Sequence, residues 1–321
     1  MPWRETKDPY AIWLSEIMLQ QTTVVTVIPY YHRFLKKFPT LKDLANAPLE
    51  ELLKEWAGLG YYNRIRNFQA AAKQIVSDFK GVIPKDYQTL LSLKGFGPYT
   101  AASVSSIAFN EPNACVDGNV IRVIARLFCY DQEIKSPGAK KYFQQKADEL
   151  LHPKQAGDFN QAMMEFGATL CTPHNPQCPI CPVKIHCLAH QKGCVEKLPA
   201  KTKQVYVKKY WDCFLITSKN KCILLRQRKN ESVLKDMWEI PYVETKKNSE
   251  PNPIPTNPQK KIKSFSHSIM NQRIQIQLWQ IENPNDAFEF SNTKWIPFSQ
   301  IKNYPLTTVA KKALNISSKL I

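Results

Sequence analysis

Residues 93–102 read LKGFGPYTAA. Helically spaced apolar residues lead up to Leu93, two glycines flank Phe96, and Pro98 opens a second helical run ending ASVSSIAF. Proline's fixed φ suits the first turn of a helix, and glycine permits positive φ and the close approach of another backbone. The pattern predicts a helix, a hairpin at Gly95 and Gly97, and a second helix, together spanning about residues 86–108. Amide groups of such a hairpin, with the helix N-terminus behind it, can bind a phosphate, although Gly-rich turns also join helices with no ligand. A strongly basic chain favours the phosphate-binding alternative.

Outward from the hairpin, helical runs continue from residue 8 to about 190. DPYAIWLSEIMLQQTTVVTVIPYYHRFLKKF offers Asp8 as N-cap and Pro9 as the first helical residue. LKDLANAPLEELLKEWAGLG, NRIRNFQAAAKQIVSDFKG, GNVIRVIARLFC, KKYFQQKADELL and DFNQAMMEFGATLC follow with the same periodicity. A polar basic connector, residues 191–206, then precedes a different pattern. VYVKKYWDCFLIT, KCILLRQR and IQIQLWQI alternate and are rich in β-branched and aromatic residues, as strands are. ETKKNSEPNPIPTNPQKK has the composition of a long exposed loop, and LTTVAKKAL that of a closing helix. The expected fold is a mainly α domain over 1–190 followed by an α+β domain over 207–321.

A chain of 321 residues exceeds the usual size of one hydrophobic core, which agrees with two domains. No apolar run approaches a membrane span, and MPWRETKDPY lacks the basic and apolar regions of a secretory signal, so no membrane and a cytoplasmic location are expected. The net charge of +17 points to a polyanionic partner such as nucleic acid. Residues 200–321 contribute most of it, with 21 basic against 9 acidic side chains. Nine cysteines without a secretory signal argue against a disulfide framework. Four of them, Cys171, Cys178, Cys181 and Cys187, fall in one loop, CTPHNPQCPICPVKIHC, just after a helix ending near Leu170. Four thiolates so grouped can surround a tetrahedral zinc ion or the corners of an iron–sulphur cube, and the loop composition does not choose between them.

Two carboxylates stand out. Glu16 is the only charge in PYAIWLSEIMLQQTT. A glutamate usually faces water, yet Ile12, Trp13, Ile17 and Leu19 leave little polar surface around this one. A carboxylic acid in an apolar wall keeps its proton toward neutral pH, as a general acid must. Asp117 and Asn119 flank Gly118 in VDGNVIRV, and by themselves they read as an ordinary helix N-cap.

MPWRETKDPYAIWLSEIMLQQTTVVTVIPYY, WAGLGYYNRIRN, LKGFGPYTAA, VDGNVIRV, FNQAMMEFGATLC and the four-cysteine loop occur in the order and approximate spacing of the MutY-type adenine DNA glycosylases. These belong to the helix-hairpin-helix superfamily of endonuclease III, and the resemblance covers essentially the whole chain. It implies a helical glycosylase domain holding one 4Fe-4S cluster on Cys171, Cys178, Cys181 and Cys187. It also implies a Nudix-like C-terminal domain without a catalytic glutamate box. The implied partner is double-stranded DNA carrying adenine opposite 8-oxoguanine or guanine, bound by a monomer.

By resemblance, Glu16 matches the acid that protonates adenine, and Asp117 the carboxylate that stabilises the sugar cation. Tyr99 and Asn119 match residues supporting that centre. Gln21 and Tyr61 match residues that push into the duplex, although core packing would explain Tyr61 alone equally well. Trp3, Arg4 and Glu165 match positions around the adenine pocket, and Gly95 and Gly97 the phosphate-binding hairpin. Phe265, Ser266 and His267 match a loop that inserts near the lesion. Endonuclease III-like lyases carry a lysine two residues after the second hairpin glycine; Tyr99 stands there, and Lys94 lies on the other side of Gly95, which implies a monofunctional enzyme. The alternatives are an endonuclease III-like lyase and a lesion-binding protein without activity. Two departures from the family pattern are the start at Met1, where relatives carry a further segment with an arginine of the adenine pocket, and Cys115–Val116 before Asp117.

Overall fold

The computed structural model describes residues 1–200, 205–231, 233–246, 260–282 and 290–317. As the sequence predicts, the Asp8 side chain accepts the Tyr10 N–H at 3.0 Å and α1 runs Pro9–Leu19. The long helical run then breaks. Gln20 leaves the helical region, Gln21 takes a φ of 56°, and α2 (Val24–Lys37) starts after an extended Thr23. Adjacent threonines favour caps over helix interiors, which accounts for the break. Next come α3 (Leu41–Asn46), α4 (Leu49–Trp56), α5 (Asn63–Asp78), α6 (Tyr87–Ser92), α7 (Pro98–Phe109), α8 (Gly118–Leu127), α9 (Ala139–Leu150), α10 (Ala156–Thr169) and α11 (Leu188–Gln191).

The hairpin that opened the sequence joins α6 to α7. Asp86 caps α6 by accepting the Thr89 N–H at 2.7 Å. Gly95 has a φ of +85°, and a β-carbon there would lie 2.4 Å from Asn67 Cβ on α5. Gly97 departs from expectation. It caps α7 at φ −97° and ψ 173°, extended backbone open to any residue, and its β-carbon position meets nothing within 4 Å. Gly95→Ala is therefore expected to destabilise the protein by about 2 kcal/mol, through left-handed strain and overpacking. Gly97→Ala should be nearly neutral, and urea midpoints at constant m value would separate the two.

α1 is buried from Tyr10 to Met18 and packs against α2 and α7. Trp13 sits at its centre, edge-on to Phe68 at 4.4 Å and tilted against Phe96 at 4.6 Å. α10 crosses α7 and α8 closely because it carries glycine at both contacts. A β-carbon at Gly157 would lie 2.6 Å from Ser106 O, and one at Gly167 would lie 2.7 Å from Asn119 Cβ.

Among the described residues seven strands follow: β1 (Val207–Thr217), β2 (Cys222–Gln227), β3 (Trp238–Glu239), β4 (Tyr242–Thr245), β5 (Lys260–Ile269), β6 (Gln272–Glu282) and β7 (Thr293–Pro297), with α12 at Thr308–Ser317. They form one mixed sheet of order β3-β2-β1-β6-β5, with β4 on β1 and β7 on β2. β1 and β6 run parallel from Val207↔Gln272 to Thr217↔Glu282, and the other pairings are antiparallel. Alternation divides the sheet into two faces. Trp211, Cys213, Leu215, Ile274, Ile276 and Leu278 pack with Val309, Ala310 and Ala313 of α12, while Phe214, Ile216, Leu224 and Ile281 pack on the other side.

Two expectations for this region change. Most of the expected loop at 244–261 lies outside the described residues, but its ends belong to β4 and β5. Phe265, Ser266 and His267 do not occupy a loop; they lie within β5, opposite Ile276, Gln275 and Ile274. A register shift between Lys261 and Lys263 interrupts the two-residue period of this strand. By packing, residues 1–47 and 66–203 form one compact unit, and 48–65 with 204–321 form the other.

Candidate active site and cysteine cavity

Glu16 is 5 % exposed, so the water-facing reading of this glutamate does not hold. The Tyr99 hydroxyl, from the first turn of α7, donates to Glu16 Oε2 at 2.5 Å and lies 3.3 Å from Met164 Sδ. Burial raises the Glu16 pKa, and Asp117 adds to that; the Tyr99 hydrogen bond, the Arg4 charge and the Ser103 hydroxyl draw it back, leaving it raised. Burial and the adjacent carboxylate also hold the Tyr99 pKa well above its ordinary value, so its proton stays in place. Arg4 is anchored by donating to Gln161 O at 3.2 Å and lies 3.5 Å from Glu165. Glu16, Tyr99, Asp117, Arg4 and Glu165 therefore belong to one electrostatic cluster. Trp3 is buried edge-on against Tyr31 at 5.4 Å.

Asp117 does cap α8, accepting the Val120 N–H at 2.7 Å, and it also accepts the Asn119 amide at 2.9 Å. Burial raises its pKa, and the Val120 and Asn119 donors and the Arg122 charge draw it back without cancelling the rise. Gly118 beside it meets nothing within 4 Å of its β-carbon position, which leaves approach to Asp117 open. Behind Asn119 stands a residue that the motif reading missed. Arg122 donates to Asn119 Oδ1 at 2.9 Å, to Gly167 O at 2.6 Å and to Cys171 O at 2.8 Å. One guanidinium thus ties the carboxylate turn to the first cysteine of the loop.

Cys171, Cys178, Cys181 and Cys187 line one cavity walled by Val123, Leu127, Phe166 and Leu170. Among the described residues no group of three or more His, Cys, Asp or Glu is arranged to hold a single metal ion. Four thiols ringing an apolar cavity fit a larger body with sulphur-ligated corners, such as an iron–sulphur cube. Arg126, 1 % exposed, supports the ring, donating to Thr172 O at 2.8 Å and lying 3.3 Å from Cys171 Sγ. Its Nε reaches Val195 O at 3.1 Å and Leu198 O at 3.0 Å beyond the loop.

Of the other predicted residues, Gln21, Tyr61 and Ser266 are presented outward. Gln21 and Tyr61 are both non-glycine residues in the left-handed region, at φ 56° and 47°. Gln21 is exposed, and Tyr61 is 47 % exposed on a loop braced by Arg64, which donates to the carbonyls of Leu59 and Gly60 at 3.1 Å. Strained backbone that displays a side chain is a feature of functional surfaces. α7 has no side-chain cap, so amide groups at its Gly97–Pro98 end are free of that partner. On β5, Ser266 is exposed and hydrogen-bonded to Gln275 at 3.0 Å, Phe265 packs against the sheet core, and His267 is partly buried, with its pKa lowered by burial and by Lys312.

Residues 14–152 match the HhH-GPD superfamily base excision DNA repair protein family, and residues 212–315 match the NUDIX domain. The adenine DNA glycosylase of Rattus norvegicus is 32% identical over 98% of this chain and 74% of its own length. Among solved structures, a thermostable thymine-DNA glycosylase matches at TM-score 0.55 and 33% identity, over 60% of this chain and 88% of that one. A non-covalent endonuclease III–DNA complex matches at TM-score 0.51 and 28% identity, over 58% of this chain and 85% of that one. With both domains in order and a named relative aligned along 98% of this chain, the chain belongs to the MutY-type adenine DNA glycosylases.

Proposed function

We propose that the protein hydrolyses the N-glycosidic bond of adenine standing opposite 8-oxoguanine or guanine in double-stranded DNA, and leaves an abasic site. Its membership of a base excision repair family supports glycosylase activity. The observation that carries the mechanism is the buried Glu16 carboxyl, its pKa raised, in hydrogen-bond contact with Tyr99 and within the field of Asp117.

The target base must leave the stack before its bond can be reached. Glu16 then gives its proton to N7 of adenine, so the base departs with the bonding electron pair as a neutral molecule. The positive charge left on the sugar faces the Asp117 carboxylate, whose oxygens accept the α8 amide and Asn119, and water adds to the anomeric carbon, its proton passing to the Glu16 carboxylate. Tyr99 offers no amine, so no Schiff base forms and the strand is not cut. Gln21 and Tyr61 occupy the gap left by adenine, while the hairpin at Gly95 and Gly97 binds a backbone phosphate. Trp3, Arg4 and Glu165 border the adenine pocket.

Cys171, Cys178, Cys181 and Cys187 would hold one 4Fe-4S cluster, whose bonds to sulphur would fix the loop in place. Residues 1–190 are assigned to the glycosylase domain, 191–206 to the connector, and 207–321 to the domain that reads the opposing base. The sequence of that domain has no catalytic box of clustered glutamates, which supports binding without hydrolysis, and its buried Glu239 is paired with Arg226 at 2.6 Å and Arg228 at 2.8 Å. Among the described residues no helix is long and apolar enough to cross a membrane.

The test is single-turnover adenine release from duplexes with A opposite 8-oxoguanine, guanine or cytosine, with a parallel borohydride trap. Release from the first two without a trapped adduct is expected; a covalent adduct would assign a lyase, and intact adenine a binding protein. Tyr99→Phe removes a donor that favours the Glu16 carboxylate, so the Glu16 pKa rises further. The alkaline limb of the rate profile should then move to higher pH, and a limb moving the other way would exclude this control.

A further inference from the structure

α8 ends in a turn that glycine usually makes. Cys129 has a φ of 52°; the Tyr130 N–H returns to Ala125 O at 2.8 Å and the Cys129 N–H to Arg126 O at 3.3 Å. These two bonds form a Schellman closure, whose left-handed position strains any residue with a β-carbon. The cysteine kept there brings its sulphur to 3.6 Å from Cys194 Sγ. Neither thiol is among the four that ring the cavity, and both are partly exposed.

The surroundings hold the two sulphurs together. Arg126, one turn before Cys129, grips the carbonyls of Val195 and Leu198 just after Cys194. The Cys194 N–H is bonded to Ala189 O at 2.9 Å, and Gly193 before it, at φ 63°, supplies local freedom. A disulfide needs sulphurs at about 2.0 Å, so an approach of about 1.5 Å suffices.

We propose that Cys129 and Cys194 form a thiol–disulfide site, oxidised by a low-molecular-weight disulfide such as oxidised glutathione. One thiolate attacks that disulfide, whose S–S bond breaks and releases one small thiol. The second cysteine, giving up its proton, attacks the mixed disulfide; the Cys129–Cys194 bond forms and the second small thiol leaves. Two protein thiols lose two electrons and the small disulfide gains them. The closed ring then contains the whole 171–187 loop, so oxidation fastens the two ends of the segment that carries the four cysteines. This site does not depend on the reaction proposed above.

The purified full-length protein is incubated anaerobically with oxidised glutathione, alkylated, digested and mapped by mass spectrometry, with thermal unfolding followed in parallel. Expected are a linked peptide pair joining Cys129 to Cys194 and a rise in Tm, both reversed by dithiothreitol. Both should be absent in Cys129→Gly and Cys194→Ser. Cys129→Gly, whose glycine suits the left-handed turn, should keep at least the Tm of the reduced wild type. Recovery of both cysteines alkylated, a stable glutathione adduct that never closes, or pairing with Cys171, Cys178, Cys181 or Cys187 would each overturn the proposal.

Discussion

Glu16→Gln slows adenine release by about 10²–10⁴-fold, the range in which a positioned general acid contributes. Glutamine keeps the shape and can still accept the Tyr99 hydroxyl, but it has no proton to give. The same substitution is expected to stabilise the fold, and the sign follows from linkage. Glu16 binds its proton more tightly in the folded than in the unfolded chain. Its contribution is thus most favourable below the unfolded carboxylate value of ~4.3 and is lost as pH rises through the raised folded value. The glutamine side chain lacks this titration, so the variant's Tm advantage over the parent should be small in acid and grow toward neutral and alkaline pH. Undiminished adenine release by Glu16→Gln would remove Glu16 from the chemistry, and a Tm advantage that shrinks with rising pH would contradict its burial as a proton-bearing acid.

Arg126→Leu has the largest expected effect on stability, a loss of about 4 kcal/mol. Leucine fills much of the volume but leaves the carbonyls of Thr172, Val195 and Leu198 without their donor, and buried acceptors without partners are costly. Arg126→Lys should recover only part of this, because a single ammonium cannot reproduce a planar fork directed at acceptors on both sides of the cysteine loop. Urea denaturation of the three proteins decides it; a leucine variant within about 1 kcal/mol of the parent, a margin typical of surface changes, would show that the guanidinium is dispensable.

What could be read in the sequence was local. Gly95 and Pro98 mark the hairpin because each residue constrains its own backbone, and Glu16 stood out because its neighbours within one helical turn are apolar. Arg122 and Arg126 were not legible: they looked like polar positions on a helix, and their partners Gly167, Cys171 and Leu198 lie 45 to 72 residues further along the chain. The break at Gln20–Thr23 was missed because apolar periodicity resumes in α2 and conceals the interruption. In the sheet, β3, β4 and β7 are too short for periodicity to register, and Phe265–His267 reads as a loop on the family resemblance alone, although it lies within β5.

The parallel pairing of β1 with β6 determines when the second domain can form. Their partnered residues lie about 65 positions apart, with β5 between them in sequence and at the edge beyond β6 in space. Such pairings are slow to find because a long loop must close before any contact rewards it. During synthesis the residues of the first domain have all emerged while β1 still waits for its parallel neighbour. For that interval the β6-facing edge of β1, a strand that carries Phe214, Leu215 and Ile216, lacks its partner. That edge of the nascent chain therefore stays open to wrong pairing between the emergence of residue 217 and that of residue 282.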